Sequence, residues 1–290
     1  MRWQIFFGLC TFFGLGILVH LAEKRWPLRK YQKPKSWGVD AVGFCISAAV
    51  TYLFRVAEPG LLWRVPTVPG FGWVSREANF VSATVPWPIA FLVSVVVLDF
   101  LLYLGHRLLH AKYLWHTHAA HHSVEHLYWF GGNRSSPFHI AWQLMWGALL
   151  GLVWPVHGGS SGIVAGTLVY TCIQHFNHAN LTTRLGRLEW LFVVPRYHFV
   201  HHGAAAELNN SNFGFLLTIW DRVLGTHKDP DEVGQHFPLG LNYQIGLIRL
   251  FIGLPPHFRA HSAHHAGVES PRPFTPEAAS HPLTQTTLST

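Results

Sequence analysis

The sequence predicts an all-α integral membrane protein with four to five transmembrane helices. Its 290 residues are 49% hydrophobic and only 12% charged, whereas a soluble domain carries roughly a quarter charged residues. Five apolar segments are long enough, or nearly long enough, to cross a bilayer as helices of about 20 residues. These segments cover about residues 3–22, 38–57, 86–105, 140–156 and 160–178.

A short basic loop between the first two segments sets the predicted orientation. Residues 23–36 contain one acidic side chain, Glu23, and six basic ones. Short basic loops beside membrane spans mark the cytoplasmic face, so the net charge of +7 indicates a membrane rather than a nucleic-acid partner. With this loop in the cytoplasm, both histidine-rich regions, residues 106–126 and 175–202, fall on the cytoplasmic side.

The histidines recur at helical spacing. The pattern H-x-x-H-H occurs at residues 118–122 and again at 198–202. Positions i, i+3 and i+4 share one face of a helix, so we expect each triplet to converge on one point. His106 and His110 form a further i, i+4 pair. Converging neutral imidazoles are good ligands for transition metals, and eight exceed what one ion accepts. The pattern therefore predicts a site for two metal ions.

Five ordered segments resemble the fatty acid hydroxylase and sterol desaturase superfamily of membrane di-iron oxygenases. The resemblance implies a four-helix membrane core and a cytosolic, histidine-rich helical cap that holds the two metal ions. The matching segments are DFLLYLGHRLLH (99–110), WHTHAAHHS (115–123), QHFNHANL (174–181), PRYHFVHH (195–202) and NFGFLLTIWDRVLGT (212–226).

The resemblance also implies a ligand set. His175 is an additional candidate, with a polar residue at a helix end as its alternative role. The sequence departs from the superfamily at Arg134-Ser-Ser-Pro137, where many members have Arg-x-His-Pro, and His139 is displaced from that position. This departure indicates a different substrate subgroup. The implied ligands are His106, His110, His118, His121, His122, His178, His198, His201 and His202.

Three polar residues are candidates to orient the ligand histidines. Asp99 lies seven residues before His106 within an apolar segment, where an ionisable group needs a partner. We expect it to accept a hydrogen bond from a ligand histidine and so fix the ring; a structural bond to another helix is the alternative. Asn180 and Asp221 are similar candidates.

The reaction implied by the resemblance is O2-dependent hydroxylation or desaturation of an unactivated C–H bond in a membrane lipid. Hydroxylation is favoured by the majority of the family. The implied cofactors are two iron ions, although zinc accepts the same imidazole ligands. No flavin, haem or iron–sulfur motif is visible in the sequence, so a separate electron donor protein of the ferredoxin or cytochrome type is implied.

Two other classes of protein fit part of the pattern. His122, Glu125 and His126 match the H-x-x-E-H motif of zinc metalloproteases, with Glu125 as general base. That assignment leaves His106, His110, His118 and the second triplet without a role. A haem-binding membrane protein is the second alternative, but haem ligands pair inside spans on facing helices, whereas these triplets lie at or beyond the span ends.

The predicted organisation has three parts. Residues 1–85 form N-terminal anchor helices and an external loop, residues 86–255 form the fatty acid hydroxylase-like domain, and residues 256–290 form a disordered tail. The tail repeats the H-x-x-H-H spacing at His261, His264 and His265. Because the surrounding Pro, Ser, Ala and Gly residues offer no rigid backbone, we do not expect this triplet to hold a catalytic metal.

Overall fold

A computed structural model describes residues 2–30, 32, 36–62, 84–153 and 159–256. These residues form helices joined by turns, with isolated β-bridges and no β-strand among them. The predicted all-α fold class is therefore confirmed for this part of the chain. Most of the predicted external loop, and the predicted tail from residue 257 onward, lie outside the described residues.

Five long helices form the apolar part of the protein. Three contain stretches that are long and apolar enough to cross a membrane, at Phe6–Arg25, Trp37–Phe54 and Phe91–Leu109. Large apolar side chains on these stretches are exposed and would lie against lipid. The number of spans beyond these three stays a prediction. The long helices are α1 (Arg2–Arg25), α2 (Trp37–Leu62), α3 (Trp87–Leu109), α5 (Pro137–Val153) and α6 (Gly159–His178).

Six short helices lie beyond the ends of the long ones. A helix of fewer than about 12 residues is marginal in isolation, so these depend on packing; most of the residues of α7 are buried. A proline in its first turn fixes the start of α7, as another does for α3. The short helices are α4 (Trp115–His122), α7 (Pro195–His201), α8 (Ala206–Asn209), α9 (Ile219–Val223), α10 (Pro230–Val233) and α11 (Leu247–Phe251).

The long helices pack in a pattern that brings their histidine-bearing ends together. Helix α5 contacts both α2 and α3, while α6 packs against α1 and against the short α7. Helix α4 follows α3 after a short turn and contacts α3 and α5. Helices α3, α4, α6 and α7 carry all the histidines implied as metal ligands, apart from residues immediately after a helix end.

A buried ion pair ties α2 to the segment after α4. The Arg134 side chain donates from Nε to Asp40 Oδ1 at 2.7 Å and from Nη2 to Ser36 Oγ at 2.6 Å. The Tyr128 hydroxyl donates to the other Asp40 oxygen at 2.6 Å. The side chains of Arg134 and Asp40 are 5% and 0% exposed. Because a buried charge without its partner is costly, this pair holds the segment in one position.

We expect Asp40→Ala to destabilise the protein by about 3–5 kcal/mol, because it leaves the Arg134 guanidinium buried and unpaired. Thermal unfolding of the detergent-solubilised protein measures the loss. Arg184→Ala is the control, since Arg184 pairs with Asp231 on the surface, where both side chains are more than half exposed, and such pairs contribute less than about 1 kcal/mol. Equal losses in the two variants would contradict the role of the buried pair.

Candidate metal centre

Nine buried or half-buried histidines form two adjacent groups. Within each group one ring nitrogen per histidine lies within 4.8 Å of the others. The larger group combines one histidine of α3 and one just after its end with two of α4 and one of α7. The smaller group combines single histidines of α4 and α6 with one of α7 and one just after its end. The groups are His106, His110, His118, His122 and His201, and His121, His178, His198 and His202.

Each H-x-x-H-H triplet is divided between the two groups. In the first triplet His118 and His122 belong to the larger group and His121 to the smaller. In the second, His201 belongs to the larger group, while His198 and His202 belong to the smaller. Each triplet was expected to converge on one point, but α4 and α7 instead each contribute to both groups. The two short helices therefore hold the two groups beside each other.

Backbone carbonyl groups fix the orientation of three of the rings. His106 donates from Nδ1 to the Phe213 carbonyl at 3.0 Å, and His201 donates from Nδ1 to the Ser211 carbonyl at 2.7 Å. His178 donates from Nδ1 to the Gln174 carbonyl at 2.8 Å. A neutral imidazole that donates from Nδ1 has a lone pair at Nε2. All three rings therefore present an Nε2 lone pair to their group.

The Nε2 atoms of the smaller group crowd together. His178 Nε2 lies 3.1 Å from His121 Nε2 and 3.0 Å from His198 Nε2, and His202 Nε2 lies 3.1 Å from His198 Nε2. Nitrogens bound to one metal ion at about 2.0–2.1 Å lie roughly 3 Å apart, so this spacing suits a shared ion.

The larger group leaves buried nitrogens without partners. Neither ring nitrogen of His110 or His122 has a hydrogen-bond partner, nor does His201 Nε2. Buried polar atoms in native proteins are nearly always paired, and a metal ion would satisfy these. The all-imidazole donor set fits a pair of first-row transition metals such as iron or zinc.

Burial keeps the histidines beyond the membrane helices neutral. Removal from water is the main cause that holds their pKa well below the usual value, and neighbouring imidazoles lower the pKa further. Neutral rings keep the lone pairs that a metal needs. The histidines concerned are His118, His121, His122, His198, His201 and His202.

The absence of a side chain at Gly132 lets the backbone pack directly against His178 of the smaller group. A Cβ atom on Gly132 would lie 2.3 Å from Cγ of His178, so any side chain at this position would collide with a ring of the smaller group. Gly132 lies in the 3₁₀ turn Gly131–Asn133, whose carbonyl at Gly132 accepts a hydrogen bond from Gln174 Nε2 at 3.1 Å. The turn therefore packs directly against the end of α6.

Residues 91–226 match the family model described as fatty acid hydroxylase. This part of the chain belongs to the fatty acid hydroxylase superfamily. The chain is 35% identical over 151 residues to ornithine lipid hydroxylase OlsE of Rhizobium tropici, a match that covers 50% of this chain and 44% of the relative. It is 31% identical over 210 residues to alkylglycerol monooxygenase of Xenopus tropicalis, covering 68% of this chain and 44% of the relative.

A third relative, very-long-chain aldehyde decarbonylase GL1-9 of Oryza sativa subsp. indica, is 31% identical over 153 residues. That match covers 47% of this chain and 54% of the relative. The matched region is thus about half the length of each of these curated relatives. No solved structure matches the chain.

The turn at residues 212–214, within the matched region, is held by the Asp221 side chain. The Asp221 carboxylate accepts from the backbone N–H groups of Phe213 and Gly214, both at 2.8 Å, and from the Tyr197 hydroxyl at 3.0 Å. Asn212 has a positive φ of 55°, which asparagine tolerates better than most residues. This turn places the Phe213 carbonyl against His106, so Asp221 orients this candidate ligand through the backbone rather than by direct contact.

Asp99 and Asn180 also act on the backbone. The Asp99 carboxylate accepts from the N–H groups of Leu216 and Leu217 and from Trp220 Nε1, at 2.8–3.1 Å. The expected hydrogen bond from a ligand histidine to Asp99 is not among these contacts. Asp99 instead has the alternative role, a structural hydrogen bond to another part of the chain. The Asn180 side chain pairs with the backbone N–H and carbonyl of Arg29, so it joins α6 to the basic loop.

His175 lies outside both groups. Its Nε2 donates to the Phe12 carbonyl at 3.1 Å, and its ring packs on Phe12 and Trp129 with centroid distances of 4.5 and 4.9 Å. This position faces α1 in the last turn of α6, and it matches the alternative role of a polar residue at a helix end. The tail triplet, His261, His264 and His265, lies outside the described residues.

The zinc-protease motif is not assembled as a site. Only His122 of that motif belongs to a histidine group. Glu125 and His126 are exposed, and His126 Nε2 is hydrogen-bonded to Gln32 Oε1 at 2.6 Å. A metal held by His122 would therefore share its site with four histidines that the protease motif does not use.

We expect His201→Ala to lower the metal content below two ions per chain, because it removes one ligand from the larger group. Inductively coupled plasma mass spectrometry of the purified protein measures this content. A chain that ends at Pro256 should keep two ions, since the Pro, Ser, Ala and Gly residues around the tail triplet predict no rigid ligand set. Loss of a stoichiometric ion from a folded, truncated chain would show instead that the tail supplies ligands.

Proposed function

We propose that this protein is a membrane di-iron enzyme that uses O2 to hydroxylate an unactivated C–H bond of a lipid. The observation that carries the proposal is the pair of buried histidine groups at the ends of apolar helices, within a fatty acid hydroxylase domain. Zinc accepts the same ligands, but it has no redox chemistry. An O2-dependent reaction therefore requires iron or another redox metal.

Bound iron would supply the activation of O2, and the chain supplies its geometry. The nine histidines would hold the two ions, and the carbonyl groups of Phe213, Ser211 and Gln174 would keep three of these rings in the correct tautomer. Burial of the rings excludes bulk water, which protects a reactive centre from side reactions.

A lipid substrate is supported by the surroundings of the site and by the relatives. Helix α5, whose first turn borders both histidine groups, packs against α2 and α3, and the exposed apolar surfaces of α2 and α3 would contact acyl chains. One relative is named as a hydroxylase of ornithine lipid and another as a monooxygenase of alkylglycerol. These names favour hydroxylation over desaturation as the reaction of this chain.

A cytoplasmic position of the metal centre is supported by the basic loop. The Leu28 N–H donates to the Asn180 carbonyl at 3.2 Å, and a β-bridge joins Pro27 to Leu181. Asn180 lies two residues after His178, so the loop and the smaller histidine group share one end of the helices. By the positive-inside rule this end is cytoplasmic, where a separate electron donor protein would deliver electrons.

Expression of the gene in a host that lacks it should add one oxygen atom to a lipid class of that host. Mass spectrometry of total lipids, under air and with 18O2, measures the gain and its origin. Cells with the His118→Ala variant, which lacks a ligand of the larger group, serve as the control. Loss of two hydrogens without oxygen would show desaturation, and no lipid change under air would contradict the proposal.

The protease alternative makes the opposite prediction for two neighbouring positions. Because Glu125 is exposed and outside both groups, Glu125→Gln should retain lipid oxidation within about twofold, while His118→Ala should abolish it. If Glu125 were the general base of a protease, its loss would cost about 10²–10⁴-fold in rate. The proposal fails if Glu125→Gln loses lipid oxidation and His118→Ala retains it.

A further inference from the structure

One more buried histidine lies beside the metal centre without belonging to either group. His139, in the first turn of α5, is 2% exposed. Its ring centroid lies 4.4 Å from that of His118 and 5.3 Å from that of His121. His118 belongs to the larger group and His121 to the smaller. The ring therefore borders both groups on the side of α5.

The His139 ring has no hydrogen-bond partner within the described protein. Both of its nitrogens, Nδ1 and Nε2, are buried and unpaired. A buried donor or acceptor left unpaired costs about 1–3 kcal/mol, so native proteins rarely leave both unsatisfied. His175 is a useful contrast, because it is equally buried but donates to a backbone carbonyl. A partner from outside the chain would remove the cost at His139.

The backbone holds the His139 ring in place. The Ser136 hydroxyl accepts a hydrogen bond from the His139 N–H at 3.1 Å and donates a short one to the Thr117 carbonyl. Thr117 immediately precedes His118 on α4. The first turn of α5 is therefore hydrogen-bonded to α4, the helix that carries three of the proposed ligands. These bonds fix the position of the His139 ring.

His139 is not placed as a tenth ligand. Its nitrogens are in neither set of converging ligand atoms. The Nε2 atoms of the two neighbouring rings face their own groups, His118 towards His106 at 3.1 Å and His121 towards His178 at 3.1 Å. A ring beside both groups but outside their ligand shells is suited to contact a molecule that is bound to the metals.

We propose that His139 is the hydrogen-bond donor of a binding position for a small exogenous ligand at the metal centre. The ligand class is a small molecule or anion with oxygen or nitrogen lone pairs, such as water, hydroxide or azide. A neutral imidazole N–H donates to the ligand on the side that faces α5. This inference rests on the proposed metal centre and adds to it a residue that positions a ligand without holding a metal.

Azide binding to the cobalt-loaded, full-length protein in detergent tests the proposal. Cobalt(II) reports ligand binding through its visible absorption, and metal analysis counts the ions. We expect wild type, His139→Ala and His139→Gln each to bind two cobalt ions. Azide affinity should fall about tenfold or more in His139→Ala, because a hydrogen bond to a charged group is lost. His139→Gln, which keeps an N–H donor, should recover most of the affinity.

His175→Ala is the matched control, since it also removes a buried histidine ring but one outside both groups that is bonded to the Phe12 carbonyl. Its azide affinity should equal that of wild type. Unchanged azide affinity in His139→Ala would overturn the inference, and so would loss of a cobalt ion, which would make His139 a ligand. Failure of wild type to bind cobalt would instead overturn the proposed metal centre itself.

Discussion

The structure depends on nine neutral imidazoles, buried or half-buried, that are packed around two points. Without a cation, the Nε2 atoms of the smaller group crowd at 3.0–3.1 Å while Nδ1 of His121, His198 and His202 is unpaired. Several nitrogens of the larger group also have no partner. Both arrangements are unfavourable in a dry interior. Metal binding would turn this cost into a stabilising contribution, and it would then couple folding of the short helices to loading of the metals.

The acidic residues near the centre support this arrangement by fixing the backbone. Asp221 and Asp99 both bind N–H groups of the segment that follows α8, and that segment in turn presents the Phe213 carbonyl to His106. Asp40 fixes the segment after α4 through Arg134. A carboxylate that bound a ligand ring directly would add negative charge at the metals. Carbonyl acceptors orient the rings and leave the net charge of the ligand set unchanged.

The sequence was sufficient for the helical class and for the approximate place of the site, because apolar length and histidine spacing are local signals. It did not predict how the triplets divide. On a helix with about 100° per residue, i+3 and i+4 lie on opposite sides of i and about 100° apart, so His121 and His122 can face different ions. The carbonyl groups that accept hydrogen bonds from the histidines could not be predicted, because a backbone acceptor leaves no signal in the side-chain pattern. The partners of Asp99 could not be predicted either, because they lie 117–121 residues away in the sequence.

His139 lies close to the position at which the sequence departs from the Arg-x-His-Pro motif. Many members of the superfamily have a histidine where this chain has Ser136, and the chain has a histidine three residues later. The Ser136 hydroxyl binds both the Thr117 carbonyl and the His139 N–H, so it joins α4 to the turn that carries the displaced ring. An imidazole thus borders both histidine groups from the first turn of α5. Because α5 also packs against α2 and α3, His139 is carried by a helix that belongs to the apolar bundle and at the same time borders the two histidine groups.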